Sequence, residues 1–238
     1  MTTNLGYCET IFRRKNRLTD AEYSVAAQAY EEDYARFLPA DRDSSILDLG
    51  CGAGHFLRFL ESKGYKRLLG VDRDVEQVSH CRGKVRARIE RSDAIDFLSH
   101  SQERFDLIAA NDFIEHLPAE RVEDLFRLIG ERLNPGGTFL SRTVNLGNPL
   151  GIYARYGDFT HLLGFTEWSL EQTLLTAGFA DVATCPSVRL FPRSFRGQCA
   201  KALMPIANGV LRELYRLYGY EPPRILTKSL IGVGKRAV

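Results

Sequence analysis

Short apolar runs alternate with longer amphipathic stretches along this chain. Residues 46–49, 68–71 and 105–110 are almost wholly aliphatic or aromatic, without the polar alternation of a half-exposed strand, so each predicts a strand buried on both faces. A further short strand is expected just ahead of Glu90, and residues 181–190 and 225–235 fit two closing strands. Residues 20–38 instead show helical spacing, with Tyr23, Ala27, Tyr30, Tyr34 and Phe37 on nearby faces and Pro39 as the stop. That helix is expected over the crevice at the strand ends, with packing of an aromatic stripe accounting for most of its rings. Thr166 is a candidate N-cap, Leu170, Leu174 and Leu175 form the buried stripe behind it, and Gly178 ends that helix. Strands alternating with helices predict an α/β domain over residues 44–238, its sheet mainly parallel and covered on both sides, preceded by a helical cap over residues 1–43.

A chain of 238 residues, 44% hydrophobic and 26% charged, can bury a sizeable core and gives no sign of disorder. The net charge of +2 predicts no nucleic-acid partner, so any basic patch has to be argued locally. Cys8, Cys51, Cys81, Cys185 and Cys199 are scattered, without a C-x-x-C pair, and are expected to be reduced thiols, not a zinc site or a disulfide framework. The first residues lack the apolar core of a signal peptide, and no stretch reaches the roughly 18 apolar residues of a membrane span. A cytoplasmic protein is expected.

The candidate chemistry begins where the first strand meets Asp48-Leu49-Gly50-Cys51-Gly52-Ala53-Gly54 and turns through alternating glycines into a helix. Glycine lets the backbone take positive φ and approach a ligand with no Cβ in the way, and the helix start presents free N–H groups. A dinucleotide loop, G-x-G-x-x-G, would place glycine at His55; here the spacing is G-x-G-x-G. The second strand ends at Asp72, where one carboxylate can accept from two adjacent ribose hydroxyls. Asp93 follows the third strand and Asn111 ends the fourth, so four strand ends converge on one crevice. In this order, with Leu133-Asn134-Pro135-Gly136-Gly137-Thr138-Phe139-Leu140 behind them, these residues resemble the class I S-adenosylmethionine-dependent methyltransferases over residues 44–183. The resemblance implies a doubly wound, Rossmann-like, seven-stranded sheet with an antiparallel last strand, and S-adenosylmethionine as cofactor. It also implies roles. Asp48 would orient the methionine end, Gly50 and Gly52 would let the backbone pass beside it, and Asp72 would bind the ribose. Asp93 would accept from the adenine amino group with the Ala94 N–H facing the ring, and Asn111 would offer its backbone carbonyl to the methionine ammonium. Arg73 departs from the family's frequent apolar residue on the adenine face, where a guanidinium can stack as well.

The acceptor is signalled more weakly. No [DN]-P-P-[FYW] follows the fourth strand, which argues against methylation of adenine or glutamine amide nitrogens. Cys185-Pro186 comes too late in the sheet to be the nucleophile of cytosine-C5 enzymes and is expected to be a packing cysteine. Residues 156–170, running into Leu174-Leu175-Thr176-Ala177-Gly178-Phe179, are similar to methyltransferases of bacterial surface-polysaccharide synthesis. That likeness implies a sugar hydroxyl or phosphate, in a polysaccharide or glycolipid and lipid-linked in one version. Small-metabolite methyltransferases share part of the pattern, so a metabolite or quinone-ring acceptor stays open, as does a non-catalytic interaction module on the same fold. Transfer to a hydroxyl needs a base. His161, with Asp158 to orient or charge it, is the first candidate and His116 the second; a His161 that merely hydrogen-bonds its own loop is the alternative. Asp112, Glu115 and His116 make only a thin case for a divalent metal, and no metal is expected.

Residues 191–223 form a basic helical insertion between the last two strands. From Arg189 to Arg216, the cations Arg189, Arg193, Arg196, Lys201, Arg212 and Arg216 stand against Glu213 alone, while Leu203, Ala207, Val210, Leu214 and Leu217 share one helical face. Two outcomes are open: packing on the domain or on a second subunit of a homodimer, or peripheral contact with an anionic membrane. Pro205 and Gly209 weaken the helix. Near the start, Phe12-Arg13-Arg14-Lys15-Asn16-Arg17 is either a solvated tail or an arm that reads phosphate.

Overall fold

The structure is a computed structural model that describes residues 18–188, 190–191 and 194–238; the basic segment 12–17, Cys8, Arg189 and Arg193 lie outside the described residues. Seven strands form one sheet in the order β3-β2-β1-β4-β5-β7-β6. They are β1 (Ser45–Leu49), β2 (Arg67–Asp72), β3 (Arg88–Arg91), β4 (Phe105–Asn111), β5 (Leu133–Val144), β6 (Ala180–Pro186) and β7 (Ser229–Lys235). The first five run parallel, and β7 lies antiparallel to both of its neighbours, β5 and β6. This is the doubly wound sheet that the alternating pattern and the resemblance predict.

Between the strands lie α2 (His55–Ser62), α3 (Val75–Arg82), α4 (Ala94–His100), α5 (Ala119–Arg132), α6 (Gly151–Tyr156), α7 (Glu167–Thr176) and α8 (Phe195–Leu217), and α1 (Asp20–Tyr34) precedes β1. β1 and β4 are central and wholly or largely buried, which is why their sequences lack polar alternation. One apolar cluster, with Leu47, Ile108, Phe126 and Phe139, fills the α4–α5–α7 side; another, with Tyr34, Phe56, Leu57 and Leu107, fills the side covered by α1, α2 and α3.

The expected helix 20–38 is α-helical only to Tyr34 and tightens into a 3-10 turn at Ala35–Phe37 before Pro39, since the residue preceding proline is pushed out of helical conformation. Thr19 caps α1 with a reciprocal bond to Glu22, and Thr166 caps α7 as its sequence predicts. The expected strand 181–190 stops at Pro186, because the chain turns off the sheet toward α1: the Ser187 hydroxyl and the Val188 N–H both donate to buried Asp33. The strand expected from 225 starts only at Ser229. Ahead of it, Asn145 Nδ2 donates to the carbonyls of Ile225 and Thr227, and Asn148 Nδ2 to that of Leu226, which holds this stretch as an irregular loop.

Candidate active site

All eleven residues that the sequence nominates line a single cleft of about 830 Å³ at the C-terminal ends of β1, β2 and β4, between the sheet and α1. This is the crevice in which open α/β sheets bind ligands. One end of it is made by strand tips and the glycine loop. Gly50, Gly52 and Gly54 have φ of 68°, 50° and 83°, values that favour glycine. A Cβ on Gly50 would collide with the Phe113 ring, whereas at Gly52 the nearest atom is 3.9 Å away, so there the demand is conformational and the open space faces the cleft. Asp72 is oriented from both sides, Oδ2 accepting from the Gly52 N–H at 2.9 Å and Oδ1 from the Asp74 N–H at 2.8 Å. Burial raises its pKa above the ordinary carboxylate range, and these two N–H donors work against that rise.

Asp48 is almost fully buried, and burial pushes its carboxyl up to about 8. Among the described residues, Asp48 Oδ1 and Asn111 Nδ2 make no hydrogen bond of good geometry, although the Asn111 side chain is near enough to work against the rise in the Asp48 pKa, and such buried polar atoms suit a ligand that supplies polar partners. The other end of the Asn111 amide is taken: the Tyr34 hydroxyl donates to its Oδ1. Asp93 does structural work in addition to lining the cleft. Its Oδ1 caps α4 through the Ile95 and Asp96 N–H groups and pairs with Arg121 at 2.9 Å. Ala94 opens that helix, and Arg73 stands exposed at the rim.

Residues 157–165 wall the other end of the cleft. The carbonyl of buried Glu115 accepts from the Leu162 and Leu163 N–H groups at 2.7 and 3.0 Å, and its carboxyl, pushed up to about 8 by burial and then by Asp112, bonds the Thr143 hydroxyl. The His116 and His161 rings meet edge to face with centroids 4.8 Å apart. Asp158 Oδ1 accepts from both the N–H and the hydroxyl of Thr160; burial would raise its carboxyl, but these bonds outweigh it and hold the group below the ordinary range, and the nearby His161 and His116 add to the lowering. With its proton given to Asp158, the Thr160 oxygen can only accept from His116 Nδ1, 2.9 Å away, which places that ring's proton on Nδ1 and a lone pair on Nε2. His161 is set by the same logic. Its Nδ1 lies 3.0 Å from the Ala154 carbonyl, which cannot donate, so Nδ1 carries the proton and Nε2 is the basic atom. The loop hydrogen bond of the alternative reading is thus present, and it is compatible with a basic Nε2. Burial, then the charge of His161, lowers the pKa of His116.

Sequence reasoning missed Arg142. It stands on β5 at the cleft wall, donates through Nε to Asp112 Oδ1 at 3.2 Å and through a terminal nitrogen to the other oxygen, and lies 5.1 Å from the Tyr30 ring centroid. Its signal was legible: a lone guanidinium in Phe139-Leu140-Ser141-Arg142-Thr143-Val144, a central strand with little else polar enough to be exposed. With Asp112 tied to Arg142, Glu115 to Thr143 and His116 to Thr160, the three do not converge as ligands, and no other set of three or more His, Cys, Asp or Glu side chains gathers for a metal among the described residues.

A family model described as a methyltransferase domain matches residues 22–184. The chain belongs to the methyltransferase-domain family. It is an S-adenosylmethionine-dependent methyltransferase, and the glycine cradle, the doubly held Asp72 and the buried Asp48 and Asn111 atoms fit that cofactor. Among curated proteins this methyltransferase is 26% identical over 179 residues to the malonyl-[acyl-carrier protein] O-methyltransferase of Hamiltonella defensa, covering 71% of this chain and 67% of that one. Among solved structures it is similar to a SAM-dependent methyltransferase from Archaeoglobus fulgidus, with TM-score 0.70, 22% identity and 95% and 98% of the two chains covered. It is also similar to phosphoethanolamine N-methyltransferase 2 of Haemonchus contortus in complex with S-adenosyl-L-methionine, with TM-score 0.59, 18% identity, and 96% of this chain and 60% of that one covered.

Proposed function

We propose that this methyltransferase O-methylates a hydroxyl of a sugar, or a phosphate on one, in a polysaccharide or glycolipid pathway. The observation that carries the reading is His161: its Nδ1 is held by the Ala154 carbonyl, so Nε2 offers a lone pair on the acceptor wall of a cleft that also holds the cofactor cradle. The cofactor supplies an electrophilic methyl group on a sulfonium. Asp72, Gly50 and Gly52 would bind the nucleoside end, and Asp48 with the Asn111 carbonyl would receive the amino-acid end. His161 Nε2 would take the proton of the acceptor hydroxyl, and the Asp158–Thr160–His116 chain fixes the neighbouring ring that His161 packs against. The strap from Glu115 to Leu162 and Leu163 keeps this wall in place. A lipid-linked form of the acceptor would be met at a membrane, for which the basic helix α8 is suited.

A second reading has its own support: the Hamiltonella relative is named for a carboxyl acceptor, and a carboxylate needs no base. The two separate in one experiment. The protein is incubated with labelled S-adenosylmethionine and, in parallel, nucleotide sugars, lipid-linked glycans, quinone precursors and malonyl thioesters. Label in a glycan fraction that His161→Ala abolishes supports the first reading; label only in a carboxylate, undiminished by that change, overturns it.

A further inference from the structure

The longest helix of the fold is the least buried. Of the 23 residues of α8, only Gly197 is buried, although a surface helix ordinarily turns an apolar stripe of at least 100° toward the core. Here the stripe points outward. Leu203, Ile206, Val210, Leu214 and Leu217 repeat at three- and four-residue steps and, with Phe195 about two turns ahead of them, stay exposed, Phe195 at 84% and Leu217 at 80%. Such a row is about 34 Å long at 1.5 Å per residue, beyond the scattered exposure normal for a monomer. The helix is basic as a whole: Arg196 borders the row, Lys201 and Arg212 lie on the far side of the helix, and Glu213, its one acidic residue, pairs with Arg216.

A second exposed apolar group lies around α6, and two hydrogen bonds connect that segment to α8 and to the cleft. The Tyr215 hydroxyl of α8 donates to the Gly147 carbonyl at 2.9 Å, residue 147 leads into α6, and the Ala154 carbonyl of α6 holds His161. Around α6, Leu150, Ile152, Tyr153 and Tyr156 are exposed, and Phe159 is 96% exposed between Asp158 and Thr160, both of which line the cleft.

We infer that α8 and the exposed side chains around α6 and Phe159 form one interfacial surface that seats on an anionic lipid bilayer, with the acceptor wall of the cleft toward the lipid. The lipid-linked acceptor invoked here rests on the function proposed above; the surface itself does not. A basic amphipathic helix binds in the plane of the interface through both apolar burial and attraction to acidic headgroups. A second copy of the chain is the poorer occupant, because a two-fold contact along α8 would bring together two helices that each carry Arg196, Lys201, Arg212 and Arg216 against Glu213 alone. No helix among the described residues is long and apolar enough to cross a membrane, so the contact is peripheral.

Vesicle sedimentation of the full chain, without acceptor, tests this. Phosphatidylglycerol-containing vesicles should bind it and release it as salt rises, while pure phosphatidylcholine vesicles should not bind. Arg196→Glu with Lys201→Glu should weaken binding about thirtyfold, Val210→Asp with Leu214→Asp should abolish it, and Phe159→Ser should weaken it several-fold. Each variant should keep its affinity for S-adenosylhomocysteine, which reports an intact fold. No binding to either vesicle, or equal binding to both, overturns the inference. So does a dimer in light scattering that Val210→Asp with Leu214→Asp splits, since the row is then a subunit contact. Loss of homocysteine-nucleoside affinity in the Val210 and Leu214 variant leaves Phe159→Ser and the charge reversals to decide. A carboxylate acceptor would refute the glycan reading and leave the vesicle result standing.

Discussion

The two ends of the cleft are built by different means. At the cofactor end, every polar group sits at the tip of a strand in the parallel sheet or on the glycine turn beside it, so its position follows from ladder register and backbone dihedrals. At the acceptor end, His161, Asp158 and Thr160 sit on a segment that reaches the sheet through the Glu115 carbonyl, the Asn145–Phe165 bridge and a few neighbouring backbone bonds. The sheet end is rigid because its residues are buried with their main chains paired; the loop end is positioned by a short list of named bonds. Loss of a group should therefore disable chemistry without touching cofactor affinity at one end, and the reverse at the other.

The largest effect that this contrast predicts is at the loop. His161→Ala should lower turnover by roughly 10²- to 10⁴-fold while S-adenosylhomocysteine affinity, read by calorimetry, stays within about twofold. A variant that retained half the wild-type rate would move the base to His116 or to no residue at all. At the sheet end, Asp72→Ala should weaken both S-adenosylmethionine and its demethylated product by about 1.5–3 kcal/mol, some 10- to 100-fold, as for lost charge-assisted bonds. Unchanged affinity in a folded variant removes the ribose assignment.

The next effect sharpens the electrostatic side. Asp48, raised to about 8, is protonated near neutral pH, and a cationic ligand end favours its carboxylate, so binding must expel a proton. Affinity should then climb as pH rises from 6 toward 8, by at most about tenfold per unit, and level off above. Calorimetry in buffers of different ionisation heat counts the proton released, and a flat profile would mean that Asp48 is already ionised. The smallest effect is expected at Thr160→Val, which cuts the Asp158–Thr160–His116 chain without removing a base: a few-fold loss of rate and a displaced acidic limb of the pH–rate profile, with affinity for the cofactor unchanged.

The same division governs what the sequence disclosed. Strand tips announce themselves locally: an apolar run, an acid, a glycine where φ must be positive. Gly50, Gly52, Asp72 and Asp93 were all legible in that way, as were the Thr166 cap and the Gly178 stop. Tyr34 was visible only as one ring of a helical stripe, because its bond to Asn111 spans the fold and leaves no periodic trace. The Arg142–Asp112 pair was missed for the same reason, although a charge inside an apolar strand was a hint. Asp158 stands three residues before His161 in sequence, yet its Oδ1 accepts from Thr160, two residues away, as turn geometry favours.

The Glu115 strap has a consequence for how this fold changes over time. A wall that hangs from the sheet by main-chain atoms constrains few of the side chains along it, since an N–H is present at every position but proline. Residues between 157 and 163 other than Asp158, Thr160 and His161 can therefore be exchanged one at a time, altering which molecule is received, while the wall keeps its distance from the methyl donor. The cofactor end has no such latitude: Gly50 has a ring against it and Asp72 answers to two fixed N–H groups. Innovation in such an enzyme is thereby channelled to one end of its cleft.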